Sequence, residues 1–265
     1  MEKQLNFGHL AVHRTAEVSK AIIGNYYGKW PKYSYFMGCS RGGGQSMMEA
    51  QRYAEDFDGI IAGAPAFDWI SIAVEAIQIT QEVYPSKLTE EHIKILQEAV
   101  LKQCHLLDGV KDSIINNPAN CKFDFTTLPM CPGYVPGKRC FTLAQVKAIK
   151  TIYDGFDVGN DIKYPGFPFE VRMKKAADPA INDYMRLYLL PGVLHCGGGE
   201  GPSDADLLAI LRDWVENSKP PERIVFTKKI LDQEVMSRPV YPYPQEAIYD
   251  GKGNPNIESS YKLKQ

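Results

Sequence analysis

Apolar residues between Val12 and Tyr27 recur with a helical period, placing Val18, Ala21, Ile22 and Tyr26 on one face ahead of a closing Gly28. The pattern predicts an amphipathic helix over 12–27. Next comes an apolar run, Tyr33-Ser34-Tyr35-Phe36-Met37, which reads as a strand over 33–37. A helix-like stretch from about 43 to 54 follows, then a second strand at Gly59-Ile60-Ile61-Ala62-Gly63, stopped by Pro65 with its missing N–H. Strand, helix and strand in this order form the building block of a parallel sheet.

Residues 71–172 differ in character, being rich in Pro, Asn and Asp and holding four of the six cysteines. Two helices with readable starts lie among them. Thr89 precedes Ile93, Leu96 and Val100 as an N-cap, and Thr142-Leu143-Ala144-Gln145 is a capping box in which Phe141 can staple against Val146. Core-like patterning returns with Arg186-Leu187-Tyr188-Leu189-Leu190, predicted to be a buried strand. Ser203-Asp204-Ala205-Asp206 then reads as another capping box, opening a helix with Leu207, Leu208, Leu211, Trp214 and Val215 on one face. Ile224-Val225-Phe226 reads as a short strand ahead of a polar tail. The expected architecture is α/β, a parallel-sheet core over 1–70 and 173–265 interrupted by an insertion over 71–172.

Composition narrows the class. The chain has 265 residues, 44% hydrophobic and 23% charged, with a formal net charge of −2. Scattered Lys and Arg form no basic stripe, so neither nucleic acid nor an anionic membrane is an expected partner. No apolar run approaches the ~20 residues of a membrane span. The start, Met1-Glu2-Lys3-Gln4, has no basic segment followed by an apolar one, so a signal peptide is not expected in this chain. The six cysteines contain no CxxC pair, which argues against zinc and thioredoxin-like sites. Counting alone leaves fifteen pairings open, together with the reading of six buried free thiols.

Candidate chemistry centres on Gly38-Cys39-Ser40-Arg41-Gly42, a GxSxG pentapeptide between the predicted strand and helix. This is the setting of a nucleophile elbow, in which a tight turn lifts a serine hydroxyl clear of the sheet. Such a serine needs a base to take its proton. Of the five histidines only His195 combines a strand-end position with a glycine-rich neighbour, Cys196-Gly197-Gly198-Gly199; His9, His13, His92 and His105 read as surface or packing residues. The glycine run lacks the strand-loop-helix spacing and the lysine of a phosphate-binding loop.

Taken together, Gly38-Cys39-Ser40-Arg41-Gly42-Gly43 and His195-Cys196-Gly197-Gly198-Gly199 closely resemble the tannase and feruloyl esterase family, which includes the enzyme hydrolysing mono(2-hydroxyethyl) terephthalate. The resemblance extends through Asn6-Phe7-Gly8-His9, Phe57 to Pro65, Leu107 to Asp112, Tyr164-Pro165-Gly166, Asp213 to Glu216 and Arg238-Pro239. It implies an α/β-hydrolase-like core with the insertion as a lid. It also implies cystines Cys39 with Cys196, Cys104 with Cys121 and Cys131 with Cys140, an oxidising compartment, and secretion. Members usually carry several further strands ahead of the position where this sequence starts, so the chain reads as a shortened member with a reduced sheet.

By the same resemblance Ser40 is the nucleophile, His195 its base and the backbone N–H of Arg41 an oxyanion donor. Chain order places the acid between serine and histidine, and Asp178, in Ala177-Asp178-Pro179, is the choice, with Asp183 as runner-up. Here the sequence departs from the family, because the charged Val171-Arg172-Met173-Lys174-Lys175 stands where an apolar strand is expected. Asp178 also fits a plain turn role before Pro179. A calcium loop is implied at Asp108 and Asp112 with the carbonyls of Val110 and Ile114, but His105 replaces one carboxylate. No organic cofactor is expected. The implied activity is serine carboxylesterase action on small aromatic esters such as gallate, ferulate or a terephthalate monoester. The alternatives are a non-catalytic, truncated relative and, less favoured, a cysteine nucleophile at Cys39.

Overall fold

A computed structural model describes residues 1–66, 68–132, 137, 139–157, 163–164 and 182–264. In chain order the elements are α1 (Glu2–Leu5), a π-helical turn (Asn6–Leu10), α2 (Ala11–Tyr27), β1 (Tyr35–Cys39), α3 (Arg41–Arg52) and β2 (Gly59–Gly63). They continue with α4 (Trp69–Ser86), α5 (Glu90–Cys104), α6 (Leu143–Asp154), β3 (Phe156–Asp157), β4 (Lys163–Tyr164) and α7 (Leu207–Asn217). The chain closes with β5 (Ile224–Ile230), β6 (Gln233–Val240), β7 (Ala247–Tyr249) and β8 (Tyr261–Leu263). Two compact units result. One comprises Met1–Trp69, Leu194–Gly198 and Asp204–Glu222; the other comprises Ile70–Val193, Gly199–Ser203 and Arg223–Gln265.

In the first unit β1 and β2 pair in parallel, Tyr35 opposite Gly59 and Cys39 opposite Gly63, with α3 as the crossover. The strand expected at 33–37 thus lies two residues later. Buried Ser46 fastens α3 to the sheet, its hydroxyl donating to the Gly42 and Ile61 carbonyls. α7 lies against β2 so closely that a Cβ on Gly59 would stand 2.9 Å from Leu211 Cγ. Its N-cap is Asp206, whose carboxylate accepts the Ala209 N–H at 2.9 Å, so the helix begins with a single capping side chain rather than the expected box over 203–206.

α2 forms as predicted but turns its predicted face outward. Val18, Ile22 and Tyr26 are 59%, 62% and 79% exposed, while Ala16 is buried. The inner side is held by polar anchors: His13 Nδ1 lies 2.7 Å from Asp56 Oδ2, its ring stacks on Tyr53, and the Lys20 ammonium reaches the Asp56 carbonyl. Hydrophobic periodicity cannot anticipate a helix attached through charge pairs and stacking.

In the second unit α5 and α6 enclose a core of Leu96, Leu128, Phe141 and Ile149, against which Val100, Phe123, Val146 and Tyr153 pack. The Thr142 capping box forms, the Thr142 N–H donating to Gln145 Oε1 at 2.9 Å and the Gln145 N–H to Thr142 Oγ1 at 3.3 Å. Thr89 caps α5 with an imidazole as its reciprocal partner: buried His92 accepts the Thr89 N–H on Nδ1. Its Nε2 faces the Gly137 and Cys140 carbonyls at 3.1 and 3.2 Å, so the ring carries its proton on Nε2. Cystines Cys104–Cys121 and Cys131–Cys140 staple this unit.

Two expectations need correction. Residues 186–190 form no strand, only an isolated antiparallel bridge of Tyr188 with Pro242. The strand expected at 224–226 is the start of β5, and the supposed polar tail after it holds the rest of β5, its hairpin partner β6 and the pair β7–β8. β5 extends past Phe226 through Thr227, Lys228 and Lys229, because pairing with β6 satisfies its backbone whatever its side chains. The turn at Leu231-Asp232 has φ of 49° and 63°, the two positive values of a tight hairpin turn, but without the glycine that would announce it. Arg223–Gln265 groups with Ile70–Val193 in the second unit.

Candidate active site

Ser40 stands between the end of β1 and the start of α3 with φ 62° and ψ −118°. A positive φ is uncommon for a residue with a Cβ and persists only where the surroundings enforce it. The enforcement is visible. The Ser40 N–H donates to the Gly63 carbonyl at 2.9 Å, and the Ser40 carbonyl accepts N–H groups from Gly44 and Ala66, each at 3.0 Å. The turn is also too tight for side chains at two neighbours: a Cβ on Gly38 would come within 2.4 Å of the Gly42 oxygen, and one on Gly43 within 2.3 Å of the Gly63 oxygen. These contacts are the physical content of the elbow.

Arg41 opens α3, so its amide belongs to the first helical turn, where N–H groups have no partner within the helix and the helix dipole favours negative charge. Its side chain is exposed and lies over the Phe7 ring, 4.6 Å from the centroid, leaving the backbone as its contribution to any anion.

His195 lies at the tip of a loop that folds on itself: the Leu194 N–H donates to the Gly198 carbonyl at 3.1 Å and the Gly197 N–H to the Leu194 carbonyl at 3.2 Å. Cys196 takes a φ of 67° in this turn. The imidazole is exposed and has no hydrogen-bond partner among the described residues. Cys39 and Cys196 form a cystine with Cα atoms 5.9 Å apart. Since neighbouring Cα atoms are ~3.8 Å apart, the Cα atoms of Ser40 and His195 can be no farther than about 14 Å from one another. All six cysteines are paired, in the pattern that the resemblance implies, and Cys39 is therefore no free thiol.

Asp178 lies outside the described residues. Asp183 is exposed, in a short turn with no partner among the described residues.

The proposed calcium loop is a pair of side-chain-to-backbone turns. Asp108 Oδ1 accepts the Val110 N–H and Asp112 Oδ1 the Ile114 N–H, each at 3.0 Å. Burial pushes the Asp108 carboxyl up, and Asp112 adds to this against the opposing Val110 N–H and Arg238. Calcium takes six to eight oxygens. Here the other Asp112 oxygen accepts from Arg238 at 2.8 Å, and Nε2 of His105 is buried and unpartnered. Among the described residues no three His, Cys, Asp or Glu side chains group to hold a metal. These residues do not fit a calcium ion.

A further titratable cluster was not legible in the sequence. Glu49 of α3, 1% exposed, lies beside Asp56 and His13. Burial pushes its carboxyl up from 4.5 to about 7, with Asp56 adding and His13 opposing, and the Asp56 hydrogen bond raises His13 in turn. Nothing in the spacing of residues 13, 49 and 56 marks them as neighbours.

The parallel β1–α3–β2 unit with Ser40 at its turn is an α/β scaffold of the kind that carries a nucleophile elbow. The structure superposes on an esterase from Aspergillus oryzae with a TM-score of 0.87 at 21% identity, over 97% of this chain and 74% of that one. Feruloyl esterase B from the same fungus gives 0.84, also at 21% identity and the same coverage. The chain belongs to the family described as Tannase and feruloyl esterase, whose pattern it matches over residues 1–179 and 167–263. The two stretches meet where the charged segment 171–175 departs from the expected apolar strand.

Among relatives, a probable feruloyl esterase of Arthroderma benhamiae is 38% identical over 163 residues, 57% of this chain and 28% of that protein. Mono(2-hydroxyethyl) terephthalate hydrolase of Piscinibacter sakaiensis is 23% identical over 98% of this chain and 68% of its own length. The matches to the fungal feruloyl esterases span about three tenths of those proteins.

Proposed function

We propose that this chain carries a serine carboxylesterase site for small esters of aromatic acids, the class named by its feruloyl esterase relatives. The observation that carries the reading is the Ser40 elbow, held at positive φ and joined by the Cys39–Cys196 cystine to the residue after His195. In this reading Ser40 Oγ attacks the ester carbonyl while His195 takes its proton. The Arg41 N–H, at the positive end of α3, receives charge on the carbonyl oxygen. His195 then returns the proton to the departing alkoxide, and water activated by the same imidazole releases the acid from the acyl-enzyme. Asp178 is the proposed orienting carboxylate, with Asp183 the other candidate. Residues 71–172 are the proposed lid insertion, and three cystines favour an oxidising, extracellular setting.

The test is hydrolysis of methyl ferulate, methyl gallate and a p-nitrophenyl ester by the chain beside Ser40→Ala. Turnover abolished in Ser40→Ala supports the reading. Equal rates in the two proteins, both folded by circular dichroism, overturn it. Asp178→Asn and Asp183→Asn, assayed alongside, assign the acid: the true orienting residue loses on the order of 10⁴ in kcat, as in the serine protease precedent.

A further inference from the structure

Two carboxylates brought into one partly buried turn need a positive partner, since burying uncompensated charge is costly. In the 108–114 turn each aspartate spends one oxygen on a backbone amide two residues ahead. The second oxygen of Asp112 meets Arg238 of β6 at 2.8 Å, with the two side chains only 10% and 11% exposed. Arg238 is itself fixed from two other directions. It donates to the Ser237 carbonyl at 3.2 Å, and its guanidinium lies over the Tyr261 ring, 4.4 Å from the centroid, whose hydroxyl donates to the Pro255 carbonyl at 2.8 Å. Asp108, Asp112, Ile114, Arg238 and Tyr261 line one small pocket.

We propose that Arg238 is the built-in counter-ion of the Asp108–Asp112 turn, so that the turn is held by a guanidinium belonging to the chain and not by an exchangeable divalent cation. Three features converge on this. A planar guanidinium stacked on an aromatic ring is suited to a desolvated ion pair. The pair joins residues 126 positions apart, linking the turn after α5 to the C-terminal strands as a bound ion would link its ligands. His105 stands where the resemblance places a third carboxylate, so the single guanidinium of Arg238 faces two carboxylates in place of a doubly charged ion facing three.

The experiment is thermal unfolding of the whole chain in millimolar calcium chloride and in EDTA, together with a terbium luminescence titration that uses Tyr261 as sensitiser. The expected result is a Tm that agrees within about 1 °C between the two buffers, since no ligand linkage operates, and no saturable terbium signal. Arg238→Met is expected to lower Tm by about 10 °C, as loss of one partner of a buried pair strands the other, with Arg238→Lys falling between. A Tm several degrees higher in calcium than in EDTA, or a saturable terbium signal displaced by calcium, overturns the proposal. So does an Arg238→Met protein that melts with the wild type. The calcium and terbium measurements use the unaltered chain and decide the matter even if the variants fail to fold.

Discussion

Cys39 and Cys196 are joined with their Cα atoms 5.9 Å apart although 157 residues separate them in sequence. Closing so long a loop removes entropy from the unfolded chain equivalent to about 5 kcal/mol in the simplest treatment. The double variant Cys39→Ser, Cys196→Ser is therefore expected to lose up to that amount in urea unfolding under non-reducing conditions. Its ester turnover should fall further than its folded fraction does, because His195 has lost its tether. A double variant as stable and active as the wild type would show that the loop's own hydrogen bonds suffice.

Stability of the first unit should fall as pH rises through neutrality. The sign follows from Glu49, whose carboxyl is pushed up to about 7 in the folded chain from 4.5. The preference for the protonated form is fully present below about 4.5 and is lost as pH rises through about 7. His13, raised by its Asp56 hydrogen bond, acts in the same direction, its contribution going as pH passes its elevated value. Melting curves between pH 5 and 8 should slope downward in the wild type and flatten in Glu49→Gln, whose neutral amide copies the protonated acid. Parallel slopes in the two proteins would count against the cluster.

The elbow makes a sharp distinction between two adjacent glycines. A Cβ on Gly42 would meet nothing within 4 Å, whereas one on Gly43 would meet the Gly63 oxygen at 2.3 Å and the Pro65 Cα at 2.8 Å. Gly42→Ala should be neutral or stabilising by up to about 1 kcal/mol, since alanine favours the helix. Gly43→Ala should cost about 3 kcal/mol or more, because only backbone can yield. Urea midpoints of the two variants check the contrast directly.

In the second unit Phe141 is fully buried and lies against the His92 ring at 5.3 Å between centroids. Phe141→Ala should cost about 3–5 kcal/mol. Thr142→Ala, which removes only the cap of α6, should cost about 1 kcal/mol. An inverted order would mean that the capping box, and not the core beneath it, holds α6 in place.

The sequence was most informative where one residue type has one structural use. Ser40 between glycines, Thr142 three residues before Gln145, and Thr89 ahead of α5 all took the places that their chemistry predicted. It was least informative where tertiary partners decide. The stripe Val18, Ile22, Tyr26 looked like a core face and is exposed, because α2 is held through His13 and Lys20 on Asp56. The β5–β6 hairpin was hidden by its charged middle and by a turn of Leu231 and Asp232 that carries no glycine. Within the site, the elbow and the cystine were readable from motifs. The Arg238–Asp112 pair was not, since no local pattern relates residues 126 apart.

The three cystines also impose an order of events on synthesis. A chain emerging from its N-terminus exposes Cys39 first and Cys196 last, while Cys104 with Cys121 and Cys131 with Cys140 need spans of only 17 and 9 residues. Cys39 therefore waits for Cys196 while the four other thiols are made between them, and Ser40 gains its link to His195 only after those four are available to pair with one another. The residue next to Ser40 is thus the one with the longest wait for its partner.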